Sequence, residues 1–259
     1  VNQCDFALSS FGMTDVGLVR SNNEDVFLSL KEYAFFAIAD GMGGHKAGEI
    51  AAREAVRFVA ASIEELFVST ERNWSIFDLT AFNKLSIENA NSWVHHLGQK
   101  TKNCKGMGTT ICTLLFHERS LIYGHVGDSR IYRFREGLLE QLTEDHSLTN
   151  QMIAKGQLQK NSSERLHYKN VLTRALGTQN EVEAEIHIAP VNPHDIYLMC
   201  SDGLTDQVSD EEIAEILKKH KDIKKGTAAL IDRAKYVGGH DNVTVVLVKT
   251  DERKNLSRQ

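Results

Sequence analysis

Proline is nearly absent from this chain: two residues in 259, Pro190 and Pro193, both between strand-like segments. No Gly/Ser/Pro-rich stretch, low-complexity tract or internal repeat breaks the sequence. Nothing reads as a linker, and the length suits a single domain over 1–259. A basic excess is missing too. Thirty Lys and Arg stand against 35 Asp and Glu, a net charge of −5. That leaves no polybasic face and argues against nucleic acid as a partner. No apolar run nears the roughly 20 residues of a membrane-spanning helix, and no signal-peptide pattern opens the chain. The expectation is a cytoplasmic monomer with no membrane partner. The sequence begins at Val1 without a methionine, which leaves the native start open. The four cysteines, Cys4, Cys104, Cys112 and Cys200, form no CxxC pair. Buried, reduced thiols are expected rather than zinc ligands or disulfides. No GxGxxG, Walker lysine, HExxH or EF-hand spacing occurs.

What is present is mostly short strand-like runs: "DFALSSFG", "DVFLSL", "AFFAIA", "TICTLLFH", "SLIYGHV", "SRIYRF", "EVEAEIHIA", "DIYLMC" and "VTVVLVK". β-branched and aromatic residues fill them, and Gly, Asp and Asn bound them. Helical periodicity appears over 46–67, where Ala52, Val56, Val59, Ile63 and Leu66 make one stripe, and over 78–98, where Ile87, Ala90, Val94 and Leu97 do the same. Near the C-terminus "SDEEIAEILKKH" opens acidic and closes basic, as a helix dipole favours, and "KKGTAALIDRAKYV" follows it. Clustered strands with helices arriving in pairs predict an α+β fold of antiparallel sheets with helices packed outside. Residues 149–181 fit neither period. They read as a short helix stopped by Gly156 and then a polar surface flap.

In "AFFAIADGMGGH" an apolar run meets Asp40, and three glycines follow within four residues. Asp128 follows "LIYGHVG", Asp202 follows "DIYLMCS", and Asp241 precedes "VTVVLV". Strand ends and strand starts share a rim in antiparallel sheets, so four carboxylates from distant segments would meet there. Each Asp-Gly pair alone is most simply a turn. Together the carboxylates would repel one another unless cations neutralised them. Oxygen ligands without His or Cys suit Mg²⁺ or Mn²⁺. Glu24 and Asp25 add an acidic pair in "VRSNNEDVF", and Arg20 offers a planar fork suited to phosphate. Of the eleven histidines, His45, His146 and His240 stand out only by lying within these motifs.

The pieces "RSNNED", "FAIADGMGGH", "GMGTTICTLL", "GHVGDSRIYRF", "LTEDHSL", "TRALG", "LMCSDGLTDQV" and "GGHDNVTVVLV" span nearly the whole chain. In this order the sequence closely resembles the metal-dependent serine/threonine protein phosphatases (the PPM, or type 2C, family) in their compact bacterial form. The resemblance implies a four-layer α/β/β/α sandwich, two antiparallel sheets face to face with helix pairs outside. It implies that Asp40 bridges two Mn²⁺ or Mg²⁺ ions, that the Gly41 carbonyl binds one, and that Asp202 and Asp241 bind the other. Asp128 would share a weaker third ion with Asp202. Glu24 and Asp25 would act through water, and Arg20 would bind phosphate. Gly108, Thr109, Thr110 and the "TRALG" segment are read as scaffold. Where animal members carry a proposed acid histidine, this chain has Met42. The implied reaction is hydrolysis of phosphoserine and phosphothreonine by a metal-bridged hydroxide, with no phosphoenzyme. Substrates would be phosphoproteins made by a cognate Ser/Thr kinase. A silent phosphoprotein-binding domain and a phosphatase of small metabolites are the alternatives. The first usually shows a lost metal carboxylate, and here none is lost.

Overall fold

The computed structural model describes residues 4–43, 47–68, 73–159, 168 and 171–253. Its strands form two antiparallel sheets. The first sheet holds β1 (Phe6–Asp15), β7 (Arg130–Arg135), β8 (Leu138–Gln141), β10 (Ile196–Cys200) and β11 (Val243–Glu252), in the order β1-β11-β10-β7-β8. The second holds β2 (Asp25–Leu30), β3 (Phe35–Met42), β5 (Ile111–His117), β6 (Ser120–Val126) and β9 (Glu185–Pro190), in the order β2-β3-β5-β6-β9. A two-residue strand, β4 (Gly108–Thr109), also pairs with β3.

Strand alternation sorts the apolar side chains into three packed zones. Phe36 and Ile38 of β3, Tyr197 and Met199 of β10, and Val246 and Val248 of β11 meet between the sheets. There Phe116 stands edge-on to both Phe36 and Tyr197. The alternate residues face outward. Phe35 and Ala37 pack under α1 (Ala47–Val68) and α2 (Ile76–Lys100). Leu198, Cys200, Val245 and Leu247 pack under α5 (Asp210–Lys219) and α6 (Ile223–Val237). These are the four α/β/β/α layers implied above. The predicted stripes are the buried ones: Ala52, Val56, Val59, Ile63 and Leu66 on α1, and Ile87, Ala90 and Val94 on α2. Capping boxes at Ser75–Asp78 and Ser209–Glu212 start α2 and α5. All four cysteines are free and buried.

Some boundaries differ from the sequence reading. β9 takes only the second half of "EVEAEIHIA", because its pairing with β6 starts at Glu185 opposite His125. β8 was not anticipated; it is four residues long and mostly exposed, so it carries no apolar period. A short helix, α4 (Asp202–Thr205), follows β10 directly. Within the expected flap, α3 (Leu148–Ala154) ends as predicted at Gly156, whose φ of +68° suits glycine. The return of that segment is bridged at Ser147–Leu172 and Thr109–Leu176. Its middle, 160–167 and 169–170, lies outside the described residues.

Candidate metal centre and active site

β3 does not end at Asp40 as the sequence suggested. It changes partner there: Phe35–Ile38 pair with β5, and Gly41–Met42 pair with β4. Thr110 fills the joint. Its N–H donates to the Asp40 carbonyl at 2.8 Å, and its Oγ1 accepts the Asp40 N–H at 2.9 Å. The Thr109 hydroxyl donates to the same carbonyl at 2.9 Å. Asp40 is thus pinned where β3 changes partner, and the scaffold reading of Thr109 and Thr110 is compatible with these bonds.

Register brings the remaining carboxylates to the same rim. Asp25, the first residue of β2, stands opposite Asp40. Cys200, the last residue of β10, stands opposite both Val245 of β11 and Arg130 of β7. That places Asp202 just past one strand and Asp241 and Asp128 just before two others. Asp40, Asp128, Asp202 and Asp241 all line one cleft of about 870 Å³, together with Arg20, Glu24, Gly41 and Met42. Every site residue proposed from the sequence except buried Asp25 lines this cleft.

The electrostatics are those of uncompensated negative charge. Burial, then repulsion from Asp25, Asp202, Asp128 and Asp241, pushes the Asp40 carboxyl well above its usual range. Burial and the charges of Asp128, Asp206, Asp241 and Asp25 do the same to Asp202. Burial raises Asp25 and Asp128 to about 6 each, with Asp241 and Asp145 respectively adding repulsion. Burial also raises Glu24. Ser201 Oγ and Thr244 Oγ1 each donate to Asp25 Oδ2 at 2.7 Å, yet among the described residues no N–H or O–H donates to buried Asp25 Oδ1, and the neighbouring group within hydrogen-bonding reach of Asp25 is another acid, Asp40. An orphaned carboxylate oxygen among raised carboxyls is the pattern a bound cation relieves. The donor set is all oxygen, which fits hard divalent ions. Space is tight around it. A Cβ on Gly41 would come within 2.2 Å of the Gly48 carbonyl, and one on Gly48 within 1.9 Å of Glu24 Oε2.

Sequence reasoning overlooked Asn242. It is buried; its Oδ1 accepts the Glu24 N–H at 2.8 Å, and its Nδ2 donates to the carbonyls of Val16 and Asn22 at 3.0 and 2.9 Å. It staples the loop carrying Arg20 and Glu24 to the start of β11. Ser201 and Thr244 were overlooked as well, since hydroxyls beside strands look like ordinary strand residues. Arg20 Nη2 reaches Asp241 Oδ2 at 2.7 Å. Arg130 of "GDSR" is committed to a two-pronged bond with Asp145, at 2.9 and 2.7 Å, and so is not free to bind phosphate. His45 lies outside the described residues.

The model of the protein phosphatase 2C family matches residues 19–233. The chain belongs to that family. It is 34% identical over 241 residues to a serine/threonine phosphatase of Listeria monocytogenes, covering 92% of this chain and 94% of the relative. It is similar to the crystal structure of the Mycobacterium tuberculosis serine/threonine phosphatase PstP, with a TM-score of 0.85 and 34% identity over 94% of this chain and 99% of that one. It is also similar to a PstP catalytic domain crystallised with two manganese ions, with a TM-score of 0.80 and 35% identity over 95% of this chain and 99% of that one. Among the described residues, no helix is long and apolar enough to cross a membrane.

Proposed function

We propose that this chain is a metal-dependent protein serine/threonine phosphatase whose reaction runs on the carboxylate floor of the cleft. The observation that carries the reading is the convergence of five aspartates, four of which, Asp25, Asp40, Asp128 and Asp202, have raised pKa, and one of which has an oxygen that no donor reaches among the described residues. In this reading Asp40, the Gly41 carbonyl, Asp202 and Asp241 would hold two Mn²⁺ or Mg²⁺ ions. Asp128 and Asp202 would hold a weaker third. Such ions, when bound, supply positive charge for the phosphoryl oxygens and acidify water at neutral pH.

The protein's own groups do the rest. Ser201 and Thr244 fix Asp25 through one oxygen and leave the other to accept a proton from water. Asn242 sets the backbone of Glu24. Arg20 binds the phosphate of the substrate. Its contact with Asp241 joins two partly exposed side chains, worth about 1 kcal/mol at most, so a phosphate dianion can displace it. Met42 lines the cleft and has no proton to give, so the leaving-group proton falls to water. Substrates are phosphoproteins made by a Ser/Thr kinase. The test is hydrolysis of phosphoserine and phosphothreonine peptides by chelator-stripped protein, with and without Mn²⁺ or Mg²⁺. Turnover is expected only with metal, and undiminished metal-free turnover would contradict the reading.

A further inference from the structure

We propose that the apolar rim beside Arg20 is where a phosphoprotein substrate docks an aliphatic residue close to its phosphorylated side chain. Lone apolar residues on a surface need no explanation, but a contiguous group does. Leu18 and Val19 are 64% and 65% exposed, Val237 is 43% exposed and Tyr236 84%. The Leu18 N–H donates to the Gly239 carbonyl at 2.7 Å. A Cβ on Gly239 would stand 2.9 Å from Leu18 Cγ and 3.2 Å from Lys235 Cα. Leu18 therefore lies against the end of α6, where Tyr236 and Val237 are exposed.

This exposure sits on a pinned backbone. Gly17 has φ +79°, and a Cβ there would meet the Asp241 carbonyl at 2.3 Å. Asn242 holds the carbonyls on both sides, at Val16 and Asn22. A rigid apolar surface loses little entropy on binding.

Position and charge define the occupant. Val19 is followed directly by Arg20, which lines the cleft, so the rim adjoins the cleft through the chain at this point. The residue seated there is a near neighbour of the phosphorylated one, in a chain that advances about 3.3 Å per residue when extended. The basic side chains on this part of α6 are taken: Lys235 pairs with Asp15 at 2.7 Å, and Arg233 pairs with Glu212 and lies over the Tyr236 ring. What the exposed side chains of Leu18, Val19, Tyr236 and Val237 offer a substrate is chiefly apolar contact, with His240 as a polar neighbour beside Gly238. The inference rests on the cleft being the site of dephosphorylation.

The experiment uses two series of phosphothreonine peptides of equal length and charge. One carries Leu two to four places from the phosphorylated residue, and the other carries Ser. With Mn²⁺, the wild type is expected to show about tenfold higher kcat/KM on the Leu series, mainly through KM. In Val19→Ser, and more so in Leu18→Ser with Val19→Ser, that preference falls towards one. Turnover of p-nitrophenyl phosphate, which has no flanking residues, stays within about twofold. Equal wild-type rates on both series, or an unchanged preference in both variants, would overturn the proposal. So would an equal loss on peptides and p-nitrophenyl phosphate, which would locate the effect in the loop's support of Arg20. A wild-type dimer that dissociates in the variants would assign the rim to a second copy and overturn it too. If the wild type fails to hydrolyse p-nitrophenyl phosphate with any metal, the phosphatase reading itself falls, and the docking proposal with it.

Discussion

Two clusters of titratable side chains meet at Gly127–Asp128, and they have opposite characters. On one side are Asp25, Asp40, Asp128, Asp202 and Asp241, where burial and mutual repulsion raise the carboxyl pKa of Asp25, Asp40, Asp128 and Asp202. On the other are His125, His146, Glu185 and Arg174. The ligand atoms of His125, His146 and Glu185 lie within 4.8 Å of one another, a geometry that would suit a metal ion. The hydrogen bonds say otherwise. His146 Nδ1 accepts the Gly127 N–H at 3.2 Å, so its Nε2 carries the proton and donates to Glu185 Oε1 at 3.0 Å. Arg174 Nη1 donates to the same oxygen at 3.0 Å. One carboxylate already has its cation, and one imidazole has both nitrogens engaged. Each cluster keeps one orphan, Asp25 Oδ1 and His125 Nδ1. An unpartnered nitrogen on a neutral ring costs far less than an unpartnered carboxylate oxygen. The lesson is that compactness does not identify a metal site; uncompensated charge does.

Substitutions in the carboxylate cluster should have the largest effects. Asp40→Asn or Asp202→Asn should cut turnover by roughly a thousandfold or more. Because each removes a repelling charge, the metal-free melting temperature should hold or rise by about 2–4 °C, near 1 kcal/mol for a chain of this size. Loss of cooperative unfolding in either variant would contradict this. Arg20→Ala should raise KM about tenfold and leave the calorimetric affinity for Mn²⁺ intact. Asp128→Ala should lower kcat about tenfold while both core ions still bind. The second cluster should respond in the opposite way. His146→Ala leaves the Gly127 N–H without its side-chain acceptor, costing about 1–3 kcal/mol of stability. Peptide turnover should fall less than tenfold, and the number of bound Mn²⁺ ions should not change.

The smallest effect is in pH. Asp25 and Asp128 shift from 3.8 to about 6, so the folded metal-free protein binds more protons than the unfolded chain between those values. Their contribution is present below pH 3.8 and is lost as pH rises through 6. His146 shifts from 6.5 to about 4, chiefly by burial and then by the neighbouring His125. Its contribution runs the other way, and stability rises with pH from 4 to 6.5. The increment that Mn²⁺ adds to the melting temperature isolates the carboxylates. It should grow from pH 5 to 7.5, since protons compete with the metal. An increment independent of pH would place the ion elsewhere.

The sequence showed the layers because alternation is strict where both sheet faces are covered, as at Ile196, Leu198 and Cys200 against Tyr197 and Met199. It showed Asp40, Asp128 and Asp202 because each follows an apolar run beside glycine, and Asp241 because it stands just before one, two places after Gly239. It did not show the partner change at Asp40, since two-residue β4 is too short to carry a period. Nor did it show that Ser201, Thr244 and Asn242 hold the acids in place. Those contacts join residues more than forty positions apart through strand register, which no local pattern encodes. The role of Arg174 was hidden for the same reason: its partner Glu185 is in reach only once β9 pairs with β6.

The carboxylate cluster, and not the histidine cluster, is proposed as the metal centre. Anomalous diffraction at the manganese edge, from crystals grown with Mn²⁺, tests it most directly. Two strong peaks are expected, both beside Asp40, one against the Gly41 carbonyl and the other against Asp202 and Asp241. A strong peak among His125, His146 and Glu185, or a cleft floor without any, would contradict it.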